Sequence, residues 1–290
     1  MRARLYEWVT AVAIRVASRL SGCTYIPLDY RTSAVNAPRW GHGKPPHQGL
    51  LELIERDAPH QREALRAIEG FTRELRQIEV VSSDPLEPSW RNGWLPGFDG
   101  AAIYAFMRVR APRLFLEIGS GNSTLFADRA RRDGALETTI VSIDPHPRAD
   151  IDRVCDRPIR AALETVDLAV FDELHAGDIV LVDCSHRVFM NSDVVTFFLD
   201  VLPVLPAGVL VAVHDIGLPG DYPPDFANRY YSEQYLLAAY LLGGADVSIV
   251  LPASHLCASE DVIRALDALW SGPGLSDVER HGSFFWFETR

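Results

Sequence analysis

From about residue 95 onward, short apolar runs alternate with longer stretches in which apolar residues recur at helical spacing. The runs predict strands at Arg113–Ile118, Thr139–Asp144, Asp178–Asp183 and Gly208–Val213, with a short third strand over Ala169–Phe171 and two last strands at Ala245–Leu251 and Gly282–Glu288. Between them the spacing predicts helices at Leu125–Arg132, Val188–Leu202, Ser232–Leu242 and Glu260–Trp270, and Asp99 is placed to N-cap a helix running through Met107. The segment Asp178-Ile-Val-Leu-Val-Asp183 is an apolar run closed at both ends by acids, as a parallel strand buried on both faces requires. This alternation predicts an α/β domain over 96–290.

Residues 1–95 have a different texture. Leu5 to Leu20 is apolar but interrupted by Glu7, Arg15 and Arg19, so it falls short of the roughly 18 apolar residues that span a bilayer. It predicts an amphipathic helix that docks on the body or on a second copy, with attachment to a membrane surface as the alternative. Pro38–His47 is an irregular, Pro- and Gly-rich segment, Gln48–Ile78 one or two amphipathic helices, and Ser82–Gly97 a linker or cap loop. The expected division is thus a helical N-terminal cap over 1–95 and a sheet domain over 96–290.

Composition narrows the function. With 290 residues, 48% of them hydrophobic and 23% charged, the chain reads as globular. A net charge of −11 argues against a nucleic-acid partner, since phosphate binding needs clustered Lys and Arg. A small molecule or another protein fits better, and the sequence leaves self-association open. Cys23, Cys155, Cys184 and Cys257 lie far apart with no C-x-x-C pair, which predicts reduced thiols in a cytoplasmic protein.

The most informative stretch is Leu114-Phe-Leu-Glu117-Ile-Gly119-Ser120-Gly121-Asn122-Ser123-Thr124. A strand runs into a Gly-x-Gly turn and then into a helix that Ser123 and Thr124 can cap. Gly119 permits the sharp turn, and Gly121 removes a Cβ that would block a ligand from the backbone. A nicotinamide fingerprint asks for a third small residue where Thr124 stands, and has no use for Glu117. An acid two residues before the first glycine suits a cofactor with a cationic amino-acid end, bound directly or through water. The other strands also end in polar residues: Asp144, placed for ribose hydroxyls, then Asp183-Cys184-Ser185-His186, then His214-Asp215. In open α/β sheets the ligand sits at these carboxyl ends.

The E-x-G-x-G turn resembles motif I of the class I S-adenosylmethionine (SAM) methyltransferases. Asp144, the D-x-S-H at 183–186, His214-Asp215 and the terminal Gly-Ser-Phe-Phe-Trp extend that resemblance from about Trp94 to the end. It implies a seven-stranded Rossmann-like sheet whose last strand lies antiparallel beside the fifth. It also implies SAM binding by Glu117, Gly119, Ser120, Gly121, Asn122, Ser123, Asp144 and Asp183. Within the fold, the layout is most similar to macrocin-type sugar O-methyltransferases, which hold a divalent cation (Mg, Mn or Fe). Carried over, Asp183 and Asp215 would be metal ligands, with His214 as a further candidate, and His186 the general base, with His214 second in that role. His214 stands where that family has a carboxylate. Imidazole favours transition metals over Mg, so either such a metal binds, or His214 is no ligand, or no metal binds. His214 and Asp215 can face one site only if the strand has broken by Asp215. The Gly217–Tyr230 loop, with Tyr222 and Phe226, is a candidate acceptor lid, and Trp40–His47 a segment able to fold over the same mouth. The resemblance implies SAM-dependent methylation of a small molecule, O-methylation given the candidate bases. A SAM-binding enzyme catalysing a non-methylating reaction such as cyclisation, or a non-catalytic SAM-binding module, are the alternatives.

Overall fold

The computed structural model describes residues 2–21, 25 and 37–290. Met1–Ala37 and Pro38–Arg290 are separate compact units. In the first, Arg2–Ser21 is a helix; Cys23 lies outside the described residues.

The second unit is built on one sheet. Its strands are β1 (Leu114–Ile118), β2 (Thr139–Ile143), β3 (Arg157–Ile159), β4 (Ile179–Val182), β5 (Leu210–Val213), β6 (Val247–Pro252) and β7 (Phe285–Thr289), in the order β3-β2-β1-β4-β5-β7-β6. Strands β1 to β5 are parallel, and β7 lies antiparallel between β5 and β6. This is the seven-stranded Rossmann-like sheet, with its last strand antiparallel beside the fifth, that the resemblance implies. Its strand order reverses at β1, between β2 and β4.

Side-chain alternation along the parallel strands feeds two cores. Phe115, Ile179, Leu181 and Ala212 point to one face, under Ala64 and Ile68 of the helix Ala58–Gly70, the helix Gly97–Arg110, and Phe126 and Ala127 of the helix Asn122–Gly134. Leu116, Ile118, Val180, Val182 and Val213 point to the other face. They meet Leu50 and Ile54 of the helix Gln48–Arg56, Phe197 and Val201, and Leu237 and Leu241 of the helix Glu233–Leu242. Each fully buried Leu or Phe contributes roughly 2 kcal/mol. The helices between 48 and 70 are therefore part of the sheet's own core.

Register sets up the site. Ile118 pairs with Val182, and Val182 with Val213, so β1, β4 and β5 end level. The backbone ladder runs one residue further, with Gly119 N–H donating to Ile143, Asp183 N–H to Ile118 and His214 N–H to Val182. Gly119, Asp183 and His214 are thereby set side by side at one edge of the sheet.

Three expectations need correction. Ala169–Phe171 is no strand: it lies in the 3-10 helix Leu168–Glu173, started by Asp167, whose carboxylate accepts the Ala169 N–H at 3.0 Å. The third strand is Arg157–Ile159, a three-residue edge strand where Pro158 is tolerated. The helix expected over Val188–Leu202 starts only at Asp193, because Ser192 caps it by accepting the Val195 N–H, and Asn191 adopts a left-handed backbone. It passes into a π-turn at Phe197–Val201. Asp99 does not cap its helix, which begins at Gly97; it is fully buried in the first turn. Among the described residues no helix is long and apolar enough to cross a membrane.

Candidate active site

Two cavities open along the carboxyl ends of the strands and share Asp183 and Arg148. The first, about 330 Å³, lies over the glycine turn. Gly119, Ser120, Asp144, Asp183 and Cys184 line it. Gly119 has a left-handed backbone (φ +77°), and a Cβ there would fall 1.7 Å from the Asp183 carbonyl oxygen, so only glycine fits. At Gly121 a Cβ would meet only the Arg148 Cβ, at 3.6 Å, leaving open space beside the turn. Asp144 is already at work: its Oδ2 accepts the Ser120 N–H at 2.7 Å and its Oδ1 the His146 N–H at 2.7 Å. A carboxylate has lone pairs to spare for further donors. Burial pushes the Cys184 thiol well up, so it stays neutral.

Glu117 does not line this cavity. It is fully buried beneath the turn, where its carboxyl accepts hydrogen bonds from the hydroxyls of Ser123 and Thr124. Burial raises its pKa to about 8, against the pull of those two hydroxyls. Thr124 Oγ1 also accepts the Gly121 N–H at 3.2 Å. Ser123 and Thr124 thus tie the helix Asn122–Gly134 down onto β1, and Asn122 is its first residue.

The second cavity, about 390 Å³, is floored by Asp183, His186, His214 and Asp215. His186 and Asp215 both have left-handed backbones (φ +58° and +54°), a conformation that costs of order 1–3 kcal/mol for non-glycine residues and clusters at functional sites. The turn at Asp215 is the strand break that lets it and His214 face one centre. The His186 carbonyl accepts the N–H groups of Ser232 and Glu233, which opens the helix Glu233–Leu242 directly against it.

The two imidazoles are held alike. His186 Nδ1 lies 2.9 Å from Glu233 Oε2, and Glu233 is fully buried. His214 Nε2 lies 2.8 Å from Ser283 Oγ, which in turn donates to Asp99 Oδ2 at 3.1 Å. The inner nitrogens, His186 Nε2 and His214 Nδ1, face the same Asp183 oxygen at 3.2 and 3.3 Å. Asp215 stands behind at 3.6 and 3.7 Å. With their outer nitrogens taken by buried partners, the inner ones present either lone pairs or protons. Lone pairs so close to a carboxylate oxygen repel it, so the cluster needs positive charge at its middle.

Protons are one source. Burial opposes charging His186, but its bonds to Asp183 and Glu233 outweigh that and raise it to about 10. His214 is likewise raised well above its ordinary value, burial being outweighed first by the Asp183 carboxylate. Asp183, despite burial, is held well below the usual range by His214 and His186. A divalent cation is the other source. Asp183, His186 and His214 each offer one ligand atom within 4.8 Å of the others, and the buried His214 Nδ1 has no hydrogen-bond partner. Two imidazoles and a carboxylate suit Mn, Fe, Co, Ni or Zn better than Mg. The donor set therefore fits a transition cation, with His186 among the ligands and Asp215 at its margin.

Sequence reasoning passed over Glu233, Asp99 and Ser283 as site residues. Each is local in sequence to something else, a first-turn acid, a would-be cap and a strand-flanking serine, and only the fold brings them to the histidines. Trp40–His47 does not line the second cavity. It braces the loop that does: Gly41 packs on Gly220, His42 Nε2 lies 2.9 Å from the Asp221 carbonyl, and the Arg39 N–H donates to Asp221 at 2.8 Å. His47 caps its helix through Nδ1.

The family described as "Methyltransferase domain" matches residues 116–216, the span from β1 through β5 and the two histidines. Among solved structures, the O-methyltransferase TomG from Streptomyces achromogenes, in complex with SAM, is 20% identical, covering 69% of this chain and 89% of that chain at a TM-score of 0.34. An O-methyltransferase from Bacillus cereus, in complex with S-adenosylhomocysteine (SAH), is 14% identical, covering 83% and 100% at 0.39. The SAH-bound methyltransferase PaMTH1 of Podospora anserina is 19% identical, covering 73% and 95% at 0.39. No curated protein matches the sequence. The matched span contains the glycine turn and the reversal of strand order, so over residues 116–216 the chain is similar to that methyltransferase domain family.

Proposed function

We propose that the protein transfers the methyl group of SAM to a hydroxyl of a small molecule. SAM would occupy the cavity over the glycine turn, its ribose toward Asp144 and its sulfonium toward Asp183. The acceptor would occupy the cavity floored by the histidines. The observation that carries this reading is the sharing of Asp183 by the two cavities, which brings a donor site and a proton-handling centre to one residue. Methyl transfer from a sulfonium needs mainly alignment of the nucleophile with the methyl group. A hydroxyl must also lose a proton, and His186, with His214 behind it, would take it in the state in which its Nε2 carries neither a proton nor a cation, a state its raised pKa moves to alkaline pH. Glu233 and the Ser283–Asp99 pair orient the two rings. In the alternative state, Asp183, His186 and His214 would hold a divalent cation in place of those protons; its charge would ease ionisation of the hydroxyl, and the two histidines would then serve as ligands and not as bases.

Product analysis tests this directly. Protein given SAM and a panel of hydroxylated acceptors should release SAH and methyl ether only when an acceptor is present. Methylthioadenosine in place of SAH would instead support a non-methylating reaction. Elemental analysis of protein purified without chelator should find a transition metal rather than Mg, and His186→Ala and His214→Ala should each lower its content.

A further inference from the structure

The wall of the acceptor cavity carries information about what enters it. Tyr222, Phe226 and Tyr231 line it and pack on one another: Tyr222 stacks on Phe226 with centroids 6.0 Å apart, and Tyr231 meets both edge-on, at 6.1 and 5.5 Å. At the rim stands Trp94, 63% exposed, with the Arg148 guanidinium 4.5 Å from its ring centroid. The Arg229 guanidinium lies 4.2 Å from the Phe226 centroid and 5.5 Å from that of Tyr231. Among the described residues, neither Arg148 nor Arg229 has a carboxylate within ion-pair distance, although the chain is strongly acidic.

Polar lining is equally specific. Among the described residues no Asn, Gln, Thr or Lys lines the cavity, and of the two serines that do, Ser283 is already engaged with His214 and Asp99. A polyol acceptor could bond to the lining carboxylates Asp183, Asp215 and Glu279, but it would set its other hydroxyls against the faces of the three aromatic rings, where each unmatched one is costly. A flat ring instead gains offset or edge-to-face contact with the three aromatic rings. A planar guanidinium without an acidic partner is suited to grip a carboxylate through two parallel hydrogen bonds. A cavity of about 390 Å³ is at the small end of ligand pockets.

Resting on the methyltransferase reading above, we infer that the acceptor is a hydroxylated aromatic acid. Its ring lies against Tyr222, Phe226 and Tyr231, its acidic group reaches Arg229, and its hydroxyl points down to Asp183 and His186.

Binding, rather than turnover, separates this inference from the reading beneath it. The full chain, loaded with SAH, is titrated by calorimetry with 3,4-dihydroxybenzoate and with its methyl ester, which keeps ring and hydroxyls but removes the charge. The acid should bind at least tenfold more tightly than the ester. Arg229→Gln, an exposed position, should bring the two within about threefold while SAH affinity holds. Phe226→Leu should weaken both ligands alike. If SAH binds but acid and ester bind equally, or neither binds at millimolar concentration, the aromatic-acid proposal is overturned and the cofactor site stands. If SAH itself fails to bind, both fall.

Discussion

The two cavities that meet at Asp183 are built in opposite ways. The one over the glycine turn is lined by short segments between Ile118 and Asp193: the end of β1 with Gly119 and Ser120, Ile143–His146 at the end of β2, Ala162–Glu164, and Asp183 with Cys184. Its shape rests on backbone, and one absent side chain, at Gly119, decides whether it exists. The acceptor cavity draws on segments far apart, from Trp94 through Asp183, His214 and Tyr222 to Ser283, and its character rests on side chains. Backbone geometry gives a site for a constant cofactor, and loops bearing side chains give a site free to vary with substrate.

The contrast can be broken most forcefully at Gly119. Gly119→Ala places a methyl group inside the Asp183 carbonyl and forces an alanine to a positive φ, so both cavities should be lost together. Circular dichroism and SAH calorimetry should find either misfolded protein or a folded chain with no measurable SAH affinity. Removing a side chain from the other half should act on chemistry alone. His186→Ala is expected to lower methyl transfer by about 10²–10⁴-fold, the usual worth of a positioned acid–base group, with SAH affinity changed less than threefold. A loss of SAH affinity as large as the loss of rate would show that the halves are not separable.

Glu117 sharpens the comparison through pH. Its carboxyl titrates near 8 when folded, well above its unfolded value of about 4.5, because burial disfavours the charged form. An acid raised in this way stabilises the fold fully below pH 4.5, and that contribution is lost as pH rises through about 8. The expected loss is on the order of 4 kcal/mol. Urea unfolding at pH 5 and at pH 8.5 should show it in the parent and not in Glu117→Gln, which keeps the shape but cannot ionise. Smallest is the effect at Asp144, whose carboxylate organises the turn through Ser120 and has capacity left for ribose hydroxyls. Asp144→Asn turns an amide NH2 toward one of the Ser120 and His146 N–H groups, so it should weaken SAH binding by about tenfold, some 1.4 kcal/mol, and lower the melting temperature slightly.

The same contrast explains what the sequence made legible. Gly119 and Asp144 stand at the ends of adjacent strands and line the first cavity, so they could be picked out along the chain, whereas Glu117, picked out with them, lies buried beneath the turn. Strand ends also gave Asp183, His186, His214 and Asp215, because a parallel sheet gathers its carboxyl ends at one edge. Their partners stayed hidden. Glu233 and Asp99 look like first-turn acids, and nothing local marks them as companions of histidines. His186 was read as a general base, and the fold surrounds it with the carboxylates of Asp183, Asp215 and Glu233 and aims it at the same oxygen as His214. The third strand was misplaced for a related reason: three residues with a proline carry no periodicity, and only pairing with β2 makes Arg157–Ile159 a strand.

Calorimetric titration of folded full-length protein with SAH most directly tests the claim that the turn at Gly119–Gly121 is a SAM cradle. One site per chain is expected, with no heat from NAD, and with binding abolished in Gly119→Ala but kept in His186→Ala. A well-folded parent that gives no heat with SAH, or that binds NAD instead, would contradict the account.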